Sequence, residues 1–405
     1  MTTTAEAIQA VEAAHVLQNY KRHPVVFVRG SGSRLVDTEG REYLDLLSGI
    51  GVASLGHAPP ELAEALAAQA GELLHTSNLF FHPLQGEVAE RLARLAGLPR
   101  AFFCNSGTEA VEACLKFARR YWRTHGAEDR HQIVAFEGAF HGRTFGSLSV
   151  TAGEPYRTPF APLVPGVQLV SPTDPDRVST AVTGRTAAVI VEPIQGEGGV
   201  RPIPRATAEA IAEACARTRT LLIADEVQCG LGRTGRPFYS AALGLSPDLI
   251  AVGKSLGGGF PVAAALMSDA VAAAVSFGDH GSTYGGNLLA CRAALVFLNA
   301  LEDGLIARVA DAGRRFRRGL DALAAGSRAV HEVRGDGLMW GLEIDQAVAE
   351  RAVDCALARG LVINRTAGTV VRLLPPLNIA DDDIDDGLRR LRLALDDAGA
   401  ALTAA

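Results

Sequence analysis

The sequence predicts an α/β protein with a mostly parallel central sheet flanked by helices, followed by a smaller α+β domain. Two observations support this class. Four short runs of Val, Ile and Leu alternate with helix-period segments, which is typical of buried parallel strands. After about residue 288 this alternation gives way to a long helical stretch and then to isolated short strands. At 405 residues and 48% hydrophobic content, the chain is long enough for more than one core.

Local patterns predict the individual elements in chain order. Over residues 109–122, Val111, Leu115, Ala118 and Trp122 recur at spacings of three and four, which predicts a helix with one apolar face. The predicted strands are residues 133–136, 187–191, 221–224 and 249–252. We interpret the alanine-rich residues 263–274 as helix. The predicted C-terminal elements are a helical stretch over 288–325, a strand over 337–344, a helix over 347–359 and a strand over 370–374.

Composition and charge argue against several classes of protein. The 45 acidic and 39 basic side chains leave a net charge of −6 without a block of like charge, which argues against nucleic-acid binding or a polybasic membrane patch. The first residues lack the basic start of a signal peptide, and no apolar run approaches the roughly 20 residues of a membrane span. We therefore expect a cytoplasmic protein. The six cysteines form no CxxC pair, so the sequence predicts neither a disulfide framework nor a metal site.

We single out three of the predicted strands for the ionisable residue that lies at or just beyond the end of each. Residues 187–191 are followed by Glu192, 221–224 by Asp225, and 249–252 by a glycine and then Lys254. A single residue of this kind is usually a solvated strand end. Because ligands bind beyond the carboxyl ends of parallel strands, three together predict a common site.

Lys254 precedes three consecutive glycines at 257–259. A nucleotide-binding P-loop also contains Gly-Lys-Ser, but it needs a glycine where this chain has Asp248, and its glycines precede the lysine. A lysine at a strand end with glycines beyond it suits an amine that must reach the carbonyl of a bound cofactor. We therefore favour a cofactor-binding lysine.

Residues 230–235 match the dinucleotide-binding pattern GxGxxG. The glycines of that pattern should open a helix directly, yet Pro237 interrupts, and no acidic residue follows at the expected distance of about 20 residues. We interpret this segment as a surface loop.

The predicted helix near residue 109 begins with Asn105-Ser106-Gly107-Thr108-Glu109. Ser106 and Glu109 have capping-box spacing, which by itself predicts only a helix start. Small residues and free N–H groups at a helix start also bind phosphate. Together with Lys254 and Asp225, this helix start supplies what pyridoxal phosphate needs: an amine for its aldehyde, a carboxylate for its pyridine nitrogen and a phosphate site.

The chain resembles the class III pyridoxal-phosphate aminotransferases of fold type I. The resemblance covers nearly the whole chain and rests on the motifs at residues 74–79, 105–110, 140–144, 192–199, 225–228, 253–254, 281–287 and 371–376. Within the family, its length and the segments 279–283 and 373–376 are most similar to the acetylornithine branch. That branch implies transfer of the δ-amino group of N2-acetylornithine to 2-oxoglutarate in arginine biosynthesis, giving N-acetylglutamate 5-semialdehyde and glutamate.

The resemblance also implies roles for residues around the cofactor ring. Lys254 would form the covalent link to pyridoxal 5'-phosphate and move the proton, and Asp225 would hold the pyridine nitrogen. Phe140 and Val227 would pack on the two faces of the ring, and Gln228 would contact its phenolic oxygen.

Other roles implied by the resemblance concern the phosphate and the dimer. Ser106, Gly107 and Thr108 would bind the phosphate. Thr283 of the partner subunit would join them, and Ser282 would lie close to the substrate. The expected assembly is a homodimer with shared active sites.

The substrates would be bound by charged residues. Arg143 would bind a substrate carboxylate, and Arg372 with Glu197 would adapt the pocket to two unlike substrates. Glu192 would lie behind the residues that touch the ligands. The family fold implies three parts: residues 1–48 as an N-terminal segment packing with the small domain, 49–290 as the large cofactor-binding domain, and 291–405 as the small C-terminal domain.

Two positions bear on the donor. Ornithine-using relatives carry tryptophan where this chain has His141, which leaves the shape of the pocket near Arg143 open. They carry a tyrosine that holds a free α-amino group where this chain has Ile50, so Ile50 argues against ornithine. Succinylornithine, succinyldiaminopimelate and 4-aminobutyrate remain alternative donors. An aminomutase on the same scaffold and a paralogue without enzymatic activity are further alternatives.

Overall fold

The computed structural model describes residues 4–403. Its strands are β1 Phe27–Ser31, β2 Arg34–Asp37, β3 Glu42–Asp45, β4 Arg100–Cys104, β5 Gln132–Phe136, β6 Val167–Val170, β7 Thr186–Val191, β8 Ile194–Gln195, β9 Arg201–Pro202, β10 Leu221–Asp225, β11 Leu249–Val252, β12 Ala263–Met267, β13 Val330–Asp336, β14 Met339–Ile344, β15 Leu361–Val362, β16 Asn364–Thr366 and β17 Val370–Leu373.

Helices lie between these strands and at both ends of the described chain. They are α1 Ala5–His15, α2 Ser48–Gly51, α3 Pro60–Glu72, α4 Pro83–Ala96, α5 Gly107–Thr124, α6 Phe145–Val150, α7 Glu154–Arg157, α8 Pro175–Ala181, α9 Arg205–Thr218, α10 Asp269–Ala273, α11 Leu288–Ala300, α12 Ile306–Ala325, α13 Gln346–Ala358 and α14 Asp381–Thr403. Short 3-10 turns occur at Thr158–Phe160, Ser240–Leu243 and Lys254–Gly257, and a π-turn at Leu301–Leu305 joins α11 to α12.

The central sheet has seven strands in the order β4-β12-β11-β10-β7-β5-β6. Only β12 runs antiparallel to its neighbours; β7, β10 and β11 pair in parallel. The predicted α/β class and mostly parallel sheet are therefore confirmed. Because β7, β10 and β11 are adjacent and parallel, the residues that follow them emerge at one edge of the sheet.

Helix α5 packs along one face of this sheet. Its apolar stripe, predicted from Val111 to Trp122, is buried, and Trp122 Nε1 donates a 2.8 Å hydrogen bond to Ala187 O of β7. Ser106 caps the helix: its Oγ accepts from Glu109 N at 3.4 Å, and Glu109 Oε2 in turn accepts from Asn105 N at 3.0 Å. These contacts place the start of α5 beside the carboxyl ends of the parallel strands.

The prediction of a helix over 263–274 is wrong for its first half. Ala263–Met267 form β12, and only Asp269–Ala273 are helical. All five β12 residues are buried, with Ala263 and Ala265 packed in the same cluster as α5 and Ala264 in the cluster on the other face. Alanine is depleted in strands, and its short side chain here leaves room for close packing on both faces.

The interpretation of residues 230–235 as a surface loop is also wrong. Leu231 and Arg233 are fully buried, and Arg233 Nη1 donates to the carbonyls of Leu338 and Pro375. Gly235 has a positive φ, and a Cβ there would lie 3.0 Å from Ala310 Cα. Glycine therefore serves a close approach between buried segments rather than a solvent-exposed turn. Burial lowers the pKa of Arg233 to about 9.

The C-terminal part contains a second, antiparallel sheet in the order β13-β14-β17-β16. Strand β14 lies within the predicted strand at 337–344, whereas β13 had no counterpart among the predicted strands. The N-terminal strands β1-β2-β3 extend into the C-terminal part, because β3 pairs in parallel with β15 through Leu44 and Leu361. Arg34 also forms a 2.6 Å ion pair with Asp383.

These contacts support the predicted association of residues 1–48 with the small domain. The boundary predicted at residue 290 falls inside α11, so the helix continues across it. The three-part division stays a prediction. Among residues 4–403 no helix is both long and apolar enough to cross a membrane, and the cytoplasmic location likewise stays a prediction.

Candidate active site

A cavity of about 280 Å³ lies at the carboxyl ends of β7, β10 and β11. The predicted site residues that line it are Gly107, Thr108, Phe140, Arg143, Glu197, Asp225, Val227, Gln228 and Lys254. His141, Gly142 and Glu192 complete the lining. The convergence expected for Glu192, Asp225 and Lys254 is therefore found in the structure.

Lys254 begins the turn that follows β11 and has a positive φ of 23°, a conformation that non-glycine residues rarely adopt. No hydrogen bond or ion pair joins its amino group to any residue in the 4–403 range. Burial lowers the pKa of the Lys254 amino group, and the nearby Glu197 carboxylate opposes this shift. A buried amine with a lowered pKa is more often neutral and therefore more nucleophilic.

Asp225 ends β10 and is oriented by two contacts. Its Oδ2 lies 2.7 Å from His141 Nδ1, and its Oδ1 accepts from Val227 N at 3.1 Å. Burial alone would lower the pKa of His141, but the hydrogen bond and charge of Asp225, together with Glu192, raise it. His141 Nε2 is buried, with no partner among the described residues. These contacts hold the Asp225 carboxylate in one orientation at the cavity wall.

Glu192 follows β7 and joins two loops at the wall of the cavity. One carboxylate oxygen accepts from Phe140 N at 2.7 Å, and the other accepts from Gly196 N at 3.1 Å. Burial raises the pKa of Glu192 to about 7, His141 opposes the shift, and the Asp225 charge adds to it. Glu192 therefore fixes the position of the Phe140 backbone relative to the loop that carries Glu197.

The start of α5 lines one end of the cavity and has the features of an anion-binding site. Gly107 and Thr108 are the first two helical residues, and their N–H groups find no acceptor within the described chain. A Cβ at Gly107 would lie 2.6 Å from Val227 Cγ1, so no other residue fits against the Val227 side chain. Such a helix start attracts an anion through its free N–H groups and its dipole.

Arg372, which is buried behind the cavity wall, forms an ion pair with Glu197, whose half-buried side chain lines the cavity. Arg372 Nη1 contacts Glu197 Oε1, and its Nε donates to Asn364 Oδ1 at 3.2 Å. Thr366 Oγ1 donates to Glu197 O at 2.6 Å. Burial alone would raise the pKa of Glu197, but Arg372 outweighs it and lowers that pKa. Both members of the pair are therefore charged.

Arg143, unlike Arg372, is held by aromatic rings rather than by a carboxylate. No carboxylate of the described chain lies within ion-pair distance of it. Its guanidinium carbon lies 3.8 Å from the centre of the Tyr156 ring and 5.5 Å from that of Phe140. The two rings meet edge to face at 6.1 Å. Arg143 thus presents an unneutralised cation to the cavity while aromatic rings fix its plane.

Four predicted site residues do not line this cavity. Ser106 caps α5 next to it, and Arg372 lies behind Glu197. Ser282 Oγ lies 3.5 Å from Asn105 Nδ2 and accepts from Gly285 N at 2.9 Å. Thr283 is exposed and does not reach the cavity of its own chain.

Sequence reasoning missed the roles of His141 and Tyr156. His141 was considered only for the shape of the pocket near Arg143, whereas its contact is with Asp225, 84 positions along the chain. Tyr156 lies in a short helix, α7, that no pattern predicted. Sequence distance gives no signal for Tyr156, because Phe140 and Phe145 lie closer to Arg143 along the chain. No local signal links His141 to Asp225.

Comparisons with known proteins agree on one family. The family model described as aminotransferase class-III matches residues 16–395. An acetylornithine aminotransferase of Aquifex aeolicus is 46% identical over 379 residues, which cover 93% of this chain and 99% of that protein.

Solved structures give the same result. The N-acetylornithine aminotransferase of Stenotrophomonas maltophilia K279a superposes with a TM-score of 0.83 at 35% identity, covering 97% of this chain and 99% of that chain. An ornithine aminotransferase structure from Toxoplasma gondii, with partial occupancy of PLP at its active site, superposes with a TM-score of 0.93 at 34% identity. That match covers 99% of this chain and 96% of the other.

Proposed function

Because the chain belongs to the class III aminotransferases, we propose that it transfers the δ-amino group of N2-acetylornithine to 2-oxoglutarate. The products are N-acetylglutamate 5-semialdehyde and glutamate, a step of arginine biosynthesis. The names of its relatives support this donor. The observation that carries the proposal is the contrast between two arginines: Arg143 is free of any acid in the described chain, whereas Arg372 is paired with Glu197.

The cofactor of the family is pyridoxal 5'-phosphate, and the cavity fits it. Gly107 and Thr108 offer free N–H groups to the phosphate, and Asp225 offers a fixed carboxylate to the ring nitrogen. Phe140 and Val227 both line the cavity and would contact the ring. The Lys254 amino group is unpartnered in the described chain, as a residue that bonds the cofactor aldehyde requires.

When bound, the cofactor supplies an aldehyde that exchanges amino groups and a ring that takes up electrons from the substrate carbon. The chain supplies the proton transfer. Lys254 Nζ, with its lowered pKa, removes the proton from the δ-carbon of the donor. Asp225, held by His141, favours a protonated ring nitrogen through its negative charge.

The arginines explain how one cavity serves two substrates. The donor has one carboxylate, which Arg143 binds, while Glu197 keeps Arg372 neutralised. 2-Oxoglutarate has two carboxylates and needs both arginines. Leaving Arg372 without its partner would be costly, because its guanidinium is buried and an unpaired buried charge is strongly destabilising. Gly196 and Gly198 flank Glu197 and allow its backbone to adjust when the keto acid displaces it.

We also propose that two copies of the chain share their active sites. Phe80, Phe81 and Tyr284 are exposed, and Asn78 Nδ2 donates to Gly285 O at 2.9 Å, which brings these aromatic residues into one region. An exposed apolar surface of this kind supports an interface. Thr283 lies in the same region, and we place it at the phosphate of the partner subunit's site.

The direct test is an assay of glutamate formed from 2-oxoglutarate with N2-acetylornithine as donor. We expect activity in the wild type, none in Lys254→Ala, and unchanged activity in Lys21→Ala, whose lysine is exposed and remote in sequence. Borohydride should attach the cofactor to Lys254, as identified by mass spectrometry. Turnover of the donor without any keto acid would instead indicate an aminomutase. Glutamate formed with ornithine as donor, but not with N2-acetylornithine, would overturn the donor assignment.

A further inference from the structure

A second and larger cavity of about 560 Å³, which we call the outer cavity, adjoins the cavity that Lys254 lines, which we call the catalytic cavity. The two cavities share Phe140 and Glu197 as lining residues. Tyr156, which contacts Arg143, lines the outer cavity, as do Arg365 and Gly368. The outer cavity therefore begins where Arg143 would hold the substrate carboxylate.

Arg365 is exposed, and the single hydrogen bond of its guanidinium within the described chain runs from Nη1 to Gly368 O at 3.0 Å. No carboxylate of residues 4–403 forms an ion pair with it. The nearest acid in the cavity lining is Glu197, whose charge Arg372 neutralises. The outer cavity is consequently positive, with most of the Arg365 donors available to a ligand.

The position of Arg365 is fixed by its neighbours on β16. Asn364 contacts Arg372 and Thr366 contacts Glu197, so both residues of the Arg372–Glu197 ion pair are hydrogen-bonded to this strand. Strand β16 also pairs with β17 through Asn364 and Arg372. Strand β16 therefore places Arg365 next to the two residues that we propose adapt the site to its two substrates.

We propose that the outer cavity is the subsite for the N2-acyl group of the donor and that Arg365 favours acyl groups that end in a carboxylate, such as succinyl. This inference rests on the proposed function. The donor's own carboxylate meets Arg143, its δ-amine points inward to Lys254, and its acylated α-nitrogen is left on the side of Tyr156 and the outer cavity. A terminal carboxylate on the acyl group then approaches Arg365, which has no competing acid.

The test compares three donors at fixed 2-oxoglutarate: N2-acetylornithine, N2-succinylornithine and the neutral isostere in which the terminal carboxylate of the succinyl group is a carboxamide. We expect the wild type to have a kcat/KM for the succinyl donor about two- to fivefold above that for the carboxamide donor, as for an exposed charge pair. Arg365→Gln should bring this ratio to about one. Arg365→Lys should retain part of it, and raising the salt concentration should shrink it.

Arg205→Gln is the matched control, because Arg205 is an exposed arginine on α9 whose one ion pair within residues 4–403 is with Glu209, four residues on. Its ratio should equal that of the wild type. A ratio that survives in Arg365→Gln, or a wild-type ratio near one, overturns the inference while leaving the proposed function intact. Absence of glutamate from every acylated donor in the wild type would instead overturn the proposed function.

Discussion

Aromatic rings rather than an acid hold Arg143, the arginine that we propose binds the donor carboxylate. Arg143 sits over Tyr156, and Gly153 makes room for that ring, since a Cβ there would lie 2.7 Å from Tyr156 Cδ2. A carboxylate partner would hold the arginine as firmly but would compete with the substrate. Rings orient the guanidinium and leave its hydrogen-bond donors free.

Tyr156→Leu should therefore weaken recognition of the donor carboxylate. We expect kcat/KM for N2-acetylornithine to fall about three- to tenfold, in line with a cation–π contact of roughly 1 kcal/mol. Tyr156→Phe keeps the ring and should retain most of the activity. The decisive comparison is N-acetylputrescine, which equals the donor without its carboxylate. If Tyr156→Leu impairs this analogue as much as N2-acetylornithine, Tyr156 does not act through Arg143.

Glu192 predicts a pH dependence of stability. Its pKa is raised to about 7 in the folded protein by burial, so the fold favours its protonated form. The free energy of unfolding should then fall as pH rises from about 4.5 through 7, by up to about 3 kcal/mol from this residue. Denaturant unfolding of cofactor-free Glu192→Gln between pH 5 and 8 should show a flatter dependence than the wild type. Parallel curves would contradict the assignment to Glu192.

At the scale of elements, continuous apolar runs predicted the four parallel strands well, because a strand buried on both faces needs apolar side chains at every position. Residues 133–136, for example, match β5 within one residue. The same reasoning failed for β12, since a run of alanines has helix propensity and only its neighbours β4 and β11 make it a strand. Because Asp225 and Lys254 follow neighbouring parallel strands, the sequence predicted that they lie in one site. The contact of Asp225 with His141 depends instead on how a loop distant in sequence folds.

The packing of β12 can be tested by enlarging one alanine. Ala265 is fully buried between α5 and the neighbouring strands, so Ala265→Leu should lower the free energy of unfolding by about 1–3 kcal/mol through overpacking. Ala273→Leu, at an exposed position of α10, is the control and should change stability by less than about 0.5 kcal/mol. Equal effects of the two substitutions in denaturant unfolding would show that β12 tolerates larger side chains.

At the scale of the whole molecule, the single chain exposes apolar side chains that a second copy would cover. Phe81 and Phe277 are fully exposed, and Thr283 does not reach the cavity of its own chain. Helix α1 buries none of its residues. These features support the proposed homodimer, in which a partner covers the apolar residues and contributes to the phosphate site.

Hybrid dimers test whether the sites are shared. Lys254→Ala and Thr283→Ala subunits should each be impaired alone, but mixed dimers formed by dissociation and reassociation should contain one site with both native residues. We expect up to about a quarter of wild-type activity at equal mixing, since half of the dimers are hybrids and each has one intact site. Mass spectrometry under native conditions would quantify the hybrids. No recovery despite abundant hybrids would place Thr283 in its own subunit's site.

The pairing of β3 with β15 has a consequence for how the protein is made. Leu44 leaves the ribosome early, whereas its partner Leu361 follows after roughly 300 further residues, which take about 15–60 s at ordinary rates of translation. Throughout that time one edge of the β1-β2-β3 sheet has no partner and can pair with other nascent chains. Aggregation during rapid expression should therefore begin at this edge, and slower translation or a chaperone that covers it should raise the yield of folded protein.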